Sequence, residues 1–372
     1  MTYLQRLEKI IDEVIEPSAV AIDREGIFPR AAISAMGEAG LLGLMSDVEV
    51  GGMGLGTVEA AEVVERIGRI CSSTALVLTM HYSGIEAVEK HAEESVRRDI
   101  VAGRHLLTLA WSEVGSRSHF WVPLGTARRD GDEFVLDGEK SMVTSALEAD
   151  YYVWSSKPAQ ASGASTLWLV GSRMAGLSQP KQYDGVGLRG NCSAPVSCRS
   201  LRIPESSMLG PDGGGFDIMI WGVLPVYCVL LASSMVGVMD AAIAHACKHV
   251  AKGKFVHTGG TISELPTIRA YLAKARVKAD MARSLRDEAL LALSTEREDA
   301  MLRVMEAKAA TAEAALEVTD VAMRVCGGAA FRKDSAIERY FRDARAASIM
   351  APTSDVLFDF IGRAICDMPI FT

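Results

Sequence analysis

The chain has 372 residues, 49% of them hydrophobic and 23% charged, with a formal net charge of −8 at pH 7. That length exceeds one small core and predicts two or three packed domains, while the acidic balance, with Lys and Arg scattered, excludes nucleic acid as the main partner. The seven Cys stand at irregular positions and read as free thiols of a reducing cytoplasm.

The first hundred residues are predicted to be helical. MTYLQRLEKIIDEVIEPSA carries acidic residues and no continuous apolar core, so it does not read as a signal peptide. Leu4, Leu7, Ile10, Ile11, Val14 and Ile15 recur at helical spacing, and Pro17 is expected to close that helix. PRAAISAMGEAGLLGL follows the same period. The loop GGMGLG, residues 51–56, separates it from a helix beginning near Thr57; it follows no strand and is not a dinucleotide fingerprint. His81 to Gly103 is predicted to be another helix.

From Thr108 to about Leu209 the apolar residues come in short runs, as in strands. TARRDGDEFVLDGEK is a hairpin signal. Arg128 to Asp132 are expected to form its turn, with Val135 and Leu136 in the returning strand. YYVWSS and STLWLVGS read as buried strands. Gly213 to Gly215 read as a hinge into a second helical part.

That part begins near Phe216. The apolar run from Val223 to Val238 contains Pro225, Tyr227, Ser233 and Ser234, which predicts a buried helix and no membrane span. His245 and His249 have zinc-ligand spacing but no third ligand, so no metal is expected. Met301, Val304, Met305, Ala309, Ala312, Leu316, Thr319 and Met323 keep one helical face, and Gly327-Gly328 gives a glycine stop. The expected division is helical over 1–107, β over 108–220 and helical over 221–372.

Four segments, in order, resemble motifs of the acyl-CoA dehydrogenase flavoprotein family. LTLAWSEVGSRSHF is similar to the family's Thr-Glu-Pro-x-Ala-Gly-Ser-Asp, with Ser112, Glu113 and Ser118 on the Thr, Glu and Ser, and His119 on the Asp. GEKSMVTSALEAD resembles Gly-x-Lys-x-Trp-Ile-Thr-Asn, with Thr144 on the Thr and Met142 replacing the Trp. GVGLRGNCSAPVSCRSLRIPESSMLGPDGGGF resembles the strand pair that follows. CGGAAFRKDSAIERYFRDARAASIMAPTSDVL resembles the C-terminal signature.

The resemblance implies an α+β multi-domain chain: a helical N-terminal domain, a central β-barrel and a C-terminal four-helix bundle. It implies FAD between the β domain and the last helices, and a homotetramer or homodimer whose neighbouring copy completes the FAD site. By the same token Thr144 bonds flavin N5, and Ser112, Thr353, Asp355, Gly327 and Gly328 touch the cofactor. The family's phosphate-holding Arg is absent from KGKFVHTGG. Lys252 or Lys254 is its expected point-charge substitute, and Arg324 is expected to restore the contact. Arg117 and Ser118 fall on the substrate side of the flavin loop.

The family's chemistry starts with a Glu that removes the α-proton of an acyl thioester. Aligning MAPTSDV with Tyr-Glu-Gly-Thr-Ser-Glu-Ile puts Ala351 on that Glu, which leaves only its backbone N–H to polarise the thioester carbonyl. The family's alternative base position aligns with Tyr227, which is expected to touch the substrate, although a phenol is a poor base at neutral pH. His81 and His119 are therefore the expected substrate-facing candidates. The leading expectation is oxygenase-type flavin chemistry on a CoA or carrier-protein thioester, with molecular oxygen as co-reactant. The alternatives are α,β-dehydrogenation with a relocated base, feeding an electron-transferring flavoprotein, and a catalytically silent subunit of a hetero-oligomer.

Overall fold

The computed structural model describes residues 1–116 and 118–371. Arg117, expected on the substrate side, lies outside the described residues. The N-terminal periodicity produces α1 (Tyr3–Ile10), α2 (Glu16–Glu25), α3 (Arg30–Glu38), α4 (Thr57–Gly68), α5 (Ser72–His91) and α6 (Glu94–Val101). Thr2 starts α1 with a capping box to Gln5.

Pro17 does not close the first helix. A π-turn over Ile11–Ile15 joins α1 to α2, and the Glu16 N–H donates to the Ile11 carbonyl. The wider turn absorbs one residue and places Pro17 in the first turn of α2, where its missing N–H costs little. The helix expected from His81 is also redrawn. α5 begins nine residues earlier, at Ser72, and an extended break at Ala92 and Glu93 separates it from α6.

The middle segment forms β1 (Leu107–Ala110), β2 (Thr126–Asp130), β3 (Glu133–Val143), β4 (Tyr151–Ser156), β5 (Thr166–Gly171), β6 (Leu177–Ser178), β7 (Ala194–Pro204) and β8 (Met208–Leu209). The expected barrel takes the form of two four-stranded sheets, ordered β1-β4-β5-β8 and β2-β3-β7-β6. β1 and β4 run parallel and the other pairs antiparallel. Their inner faces share one core, which includes Phe134 and Leu136 from one sheet and Tyr152, Trp154 and Trp168 from the other. Trp154 and Trp168 oppose each other across β4 and β5 and are fully buried. Each such burial is worth roughly 1.5–3 kcal/mol.

The β2–β3 turn is tighter than expected. Asp130 pairs with Glu133, so Arg128 and Arg129 belong to the strand and only Gly131 and Asp132 turn. Gly131 has φ 67°, which glycine adopts without strain.

α7 (Gly215–Asp217) leads through a π-turn over Ile218–Val223 into α8 (Leu224–Lys252). The helical run therefore starts at Gly215, and the expected boundary at 220/221 falls inside it. This run is long and apolar enough to cross a membrane, but 83% of its most apolar window is buried within the protein, as expected of a core helix. α9 (Pro266–Ser294), α10 (Ala300–Cys326), α11 (Ala336–Ile349) and α12 (Ser354–Ile365) complete the chain. α10 packs on α8, α9, α11 and α12, and the resulting bundle abuts α4 and α5.

Candidate active site

The loop after β1 is anchored by a buried ion pair that the sequence reading did not single out. Lys140 on β3 is fully buried and donates to Glu113 Oε1 at 2.6 Å, to the Ser155 carbonyl at 2.7 Å and to Ser155 Oγ at 2.8 Å. Glu113 also accepts the amide N–H groups of Leu124 and Gly125. Burial pushes the Lys140 ammonium down to about 8 against the attraction of Glu113. Every polar atom of the pair has a partner, which is the condition under which a buried charge is tolerated. The pair fixes both ends of the 112–125 loop, with Ser112 and Ser118 on it.

A second clamp comes from α11. Arg342 binds Asp23 and Glu338 and donates to the Val186 carbonyl at 2.9 Å. Its neighbour Asp343 is 2% exposed and accepts the Leu188 N–H at 2.7 Å. Burial raises the Asp343 carboxyl to about 6. The segment crosses α11 so closely that a Cβ on Gly187 would stand 2.5 Å from the Arg342 carbonyl oxygen. The Arg-Asp-Ala-Arg run thus pins the 186–188 loop.

Between these clamps lies a cavity of about 870 Å³. That volume is near the top of the range for small-molecule and cofactor sites, roughly 300–1,000 Å³. All three parts of the chain line it. α5 supplies Leu76 and Met80, the β part supplies Trp111, Ser112, Ser118 and Thr144, and the last helices supply Tyr227, Ala351, Thr353 and Asp355. Trp111 stacks on Phe120 with ring centroids 5.6 Å apart.

Several expected residues therefore meet in one place. Thr144 is 4% exposed, and its hydroxyl has no hydrogen-bond partner among the described residues. Met142, where the family has Trp, also borders the cavity and is exposed. Thr353 caps α12, and its N–H approaches Ser118 Oγ at 3.4 Å. Ala351 is half-buried, and its N–H is not engaged by any described residue.

Both histidines expected to face the substrate lie elsewhere. His81 is fully buried and does not border the cavity. Its Nδ1 accepts the Leu107 N–H at 3.1 Å, so Nε2 carries the proton and donates to the Leu42 carbonyl at 3.0 Å. It is a structural tie between α5, the turn after α3 and β1. His119 is exposed, 5.1 Å from the Trp121 ring, and outside the lining. Arg324, Gly327 and Gly328 are also outside it. They are exposed at the end of α10, where Arg324 packs over the Tyr271 ring.

Two further residues shape the site. Arg345 lines the cavity from α11, is exposed and has no ion pair among the described residues. Lys308 on α10 is 1% exposed and donates to the carbonyls of Ala347 at 3.4 Å, Met350 at 3.1 Å and Pro352 at 2.6 Å. It stands on the apolar face of α10 between Met305 and Ala312, and a lone Lys in such a stripe was the available signal.

The sequence matches three consecutive family models. They are the acyl-CoA dehydrogenase N-terminal domain over residues 2–103, the middle domain over 108–200 and the C-terminal domain over 213–366. The chain belongs to the acyl-CoA dehydrogenase superfamily. It is 29% identical over 361 residues to the human mitochondrial short-chain specific acyl-CoA dehydrogenase, covering 95% of this chain and 86% of that protein. It is 27% identical over 369 residues to a cyclohex-1-ene-1-carbonyl-CoA dehydrogenase of Geobacter metallireducens, covering 97% and 96%. The butyryl-CoA dehydrogenase structure from Megasphaera elsdenii superposes with a TM-score of 0.91 at 20% identity, covering 98% and 97%.

As an acyl-CoA dehydrogenase superfamily member, the chain is a FAD-dependent oxidoreductase. Its residues fit the cofactor. The cavity is large enough, and Thr144, a buried residue, opens its unpartnered hydroxyl onto it.

Proposed function

We propose that the protein acts on an acyl thioester of coenzyme A or a carrier protein by flavin chemistry that needs no carboxylate at either usual base position, with molecular oxygen as co-reactant and a separate two-electron donor that reduces the flavin. The observation that carries this reading is the cavity wall itself. The α11–α12 loop presents Ala351, and α8 presents Tyr227. FAD, when bound, supplies the two-electron chemistry. Thr144 orients the ring through its hydroxyl. The Ala351 N–H polarises the thioester carbonyl, and the apolar walls keep water away. Arg324, Gly327 and Gly328, on the surface, are assigned to the FAD of a second copy of the chain.

One observation favours a second reading. Asp355 is the only carboxylate that borders the cavity among the described residues, from the exposed first turn of α12. In that case Asp355 serves as base for α,β-dehydrogenation.

The experiment loads the protein with FAD and adds butyryl-CoA and 3-hydroxybutyryl-CoA without oxygen. The visible flavin band is expected to persist. After photoreduction, the bound thioester is expected to change the rate of reoxidation by air several-fold. Bleaching by a thioester without oxygen overturns the proposal, and its loss in Asp355→Asn would establish the second reading.

A further inference from the structure

Tyr227 stands in the first turn of α8, a helix that packs on α5. From α5, α8 and the π-turn between α7 and α8, the cavity receives Leu76, Met80, Val223, Leu224 and Tyr227. Tyr227 is the one polar side chain of this wall. It is 7% exposed, and its hydroxyl forms no hydrogen bond with any described residue. The oxygen is not sealed within protein, and the space it adjoins is the cavity.

A buried tyrosine hydroxyl ordinarily finds a partner, because desolvating it without one is unfavourable. Here none of the described residues supplies one. Burial also raises the phenol far above its ordinary value, and no cation among the described residues lowers it. The group therefore faces the cavity as a neutral O–H donor at physiological pH. It cannot serve as a base, and the Ala351 N–H on the α11–α12 loop is already available to the thioester carbonyl. A donor remains on an apolar wall with only a ligand to satisfy it.

We propose that Tyr227 sets acyl selectivity: its hydroxyl donates to an acceptor oxygen on the acyl chain, so the preferred thioester carries a hydroxyl or keto oxygen beyond its thioester carbonyl. This rests on the thioester reading above. An unsubstituted chain leaves the hydroxyl unpaired, which is how a polar group in an apolar site discriminates between near-isosteres.

Binding to the FAD-loaded protein is measured by titration calorimetry for butyryl-CoA, 3-hydroxybutyryl-CoA, 4-hydroxybutyryl-CoA and acetoacetyl-CoA. The wild type is expected to bind at least one oxygenated probe about tenfold more tightly than butyryl-CoA, the scale of one neutral hydrogen bond. Tyr227→Phe, which keeps the ring, is expected to erase that preference by weakening the oxygenated probe alone. FAD content and melting temperature report that the variant is folded. Equal weakening of all four probes means the hydroxyl serves the thioester carbonyl and overturns the proposal. So does the absence of any preference in the wild type. Failure of all four to bind a protein that holds FAD refutes the thioester reading instead.

Discussion

His81 is an imidazole whose protonation state is dictated by two backbone groups. The Leu107 N–H requires an unprotonated Nδ1, and the Leu42 carbonyl requires a protonated Nε2. Burial accordingly lowers its pKa from 6.5 to about 4. Between these values the unfolded chain takes up the proton and the folded one does not. Stability is therefore full above pH 6.5 and is lost as pH falls toward 4, by about 1.4 kcal/mol per pH unit at most. Replacing His81 with Gln removes this titration. The wild type's advantage over His81→Gln, measured by urea denaturation, should shrink by about 3 kcal/mol between pH 6.5 and pH 4. A constant difference across that window contradicts the assignment. Nothing local in the sequence distinguishes this His from a ligand-facing one, because α5 is buried on nearly all sides from Ser72 to Val88. A helix without a polar face does not reveal which neighbour each side chain meets.

At the scale of an element, the α11–α12 loop is held by a residue from a third helix. Lys308 places an ammonium against the carbonyl end of α11 and reaches on to Met350 and Pro352, on either side of Ala351. This suits the partial negative charge at a helix C-terminus. Burial, with no carboxylate partner among the described residues, nonetheless pushes the Lys308 ammonium down to about 8. Lys308→Met keeps much of the volume and removes the donors. It is expected to cost on the order of 3 kcal/mol, from carbonyls left without a partner. Amide exchange should accelerate over residues 350–356 while the β sheets stay protected. Uniform acceleration across the protein would show that Lys308 supports the bundle at large and not this loop. The clamp by Arg342 and Asp343 on the 186–188 segment follows the same logic. The motif was visible in the sequence, but its grip on a loop over 150 residues earlier was not.

At the scale of the molecule, one ionic network joins the N-terminal helices to the bundle. Glu65 on α4 accepts from Arg283 and Arg286 of α9, and Asp240 on α8 accepts from Arg69, Arg276 and Arg283. Burial works to raise Glu65, but the hydrogen bonds from Arg283 and Arg286 outweigh it and hold the carboxyl near 2, below its ordinary 4.5. Its contribution is present above pH 4.5 and is lost as pH falls toward 2. Glu65→Gln leaves Arg286, with a side chain 5% exposed, without its buried counter-charge and with only the exposed Asp287. The expected loss is about 3 kcal/mol at neutral pH, the scale for breaking a buried pair. The difference from wild type should narrow below pH 4.5 in thermal denaturation. A variant equal in stability to wild type at pH 7 would show that the network does not hold the two parts together.

The sequence by itself determined the helical, β, helical order and the membership in the flavoprotein family. Apolar period and the spacing of Thr144, the Arg-Asp-Ala-Arg run and Ala351 are properties of local chain, and local chain is what a sequence displays. Pro17 was expected to end a helix and is instead absorbed by a π-turn, and the turn at Gly131 is tighter than expected; both depend on hydrogen bonds that the sequence does not print. The cavity was decided only by the tertiary structure. Its walls come from α5, the β sheets, α8 and the α11–α12 loop, segments far apart in the chain. Which side chains enter it depends on the ion pairs Lys140–Glu113, buried, and Arg342–Asp23, partly buried, and on Lys308, each of which joins segments distant in sequence. That is why His81, adjacent in sequence to cavity-lining Met80, faces the backbone of its neighbours, while Tyr227 is left with its hydroxyl unpaired at the cavity.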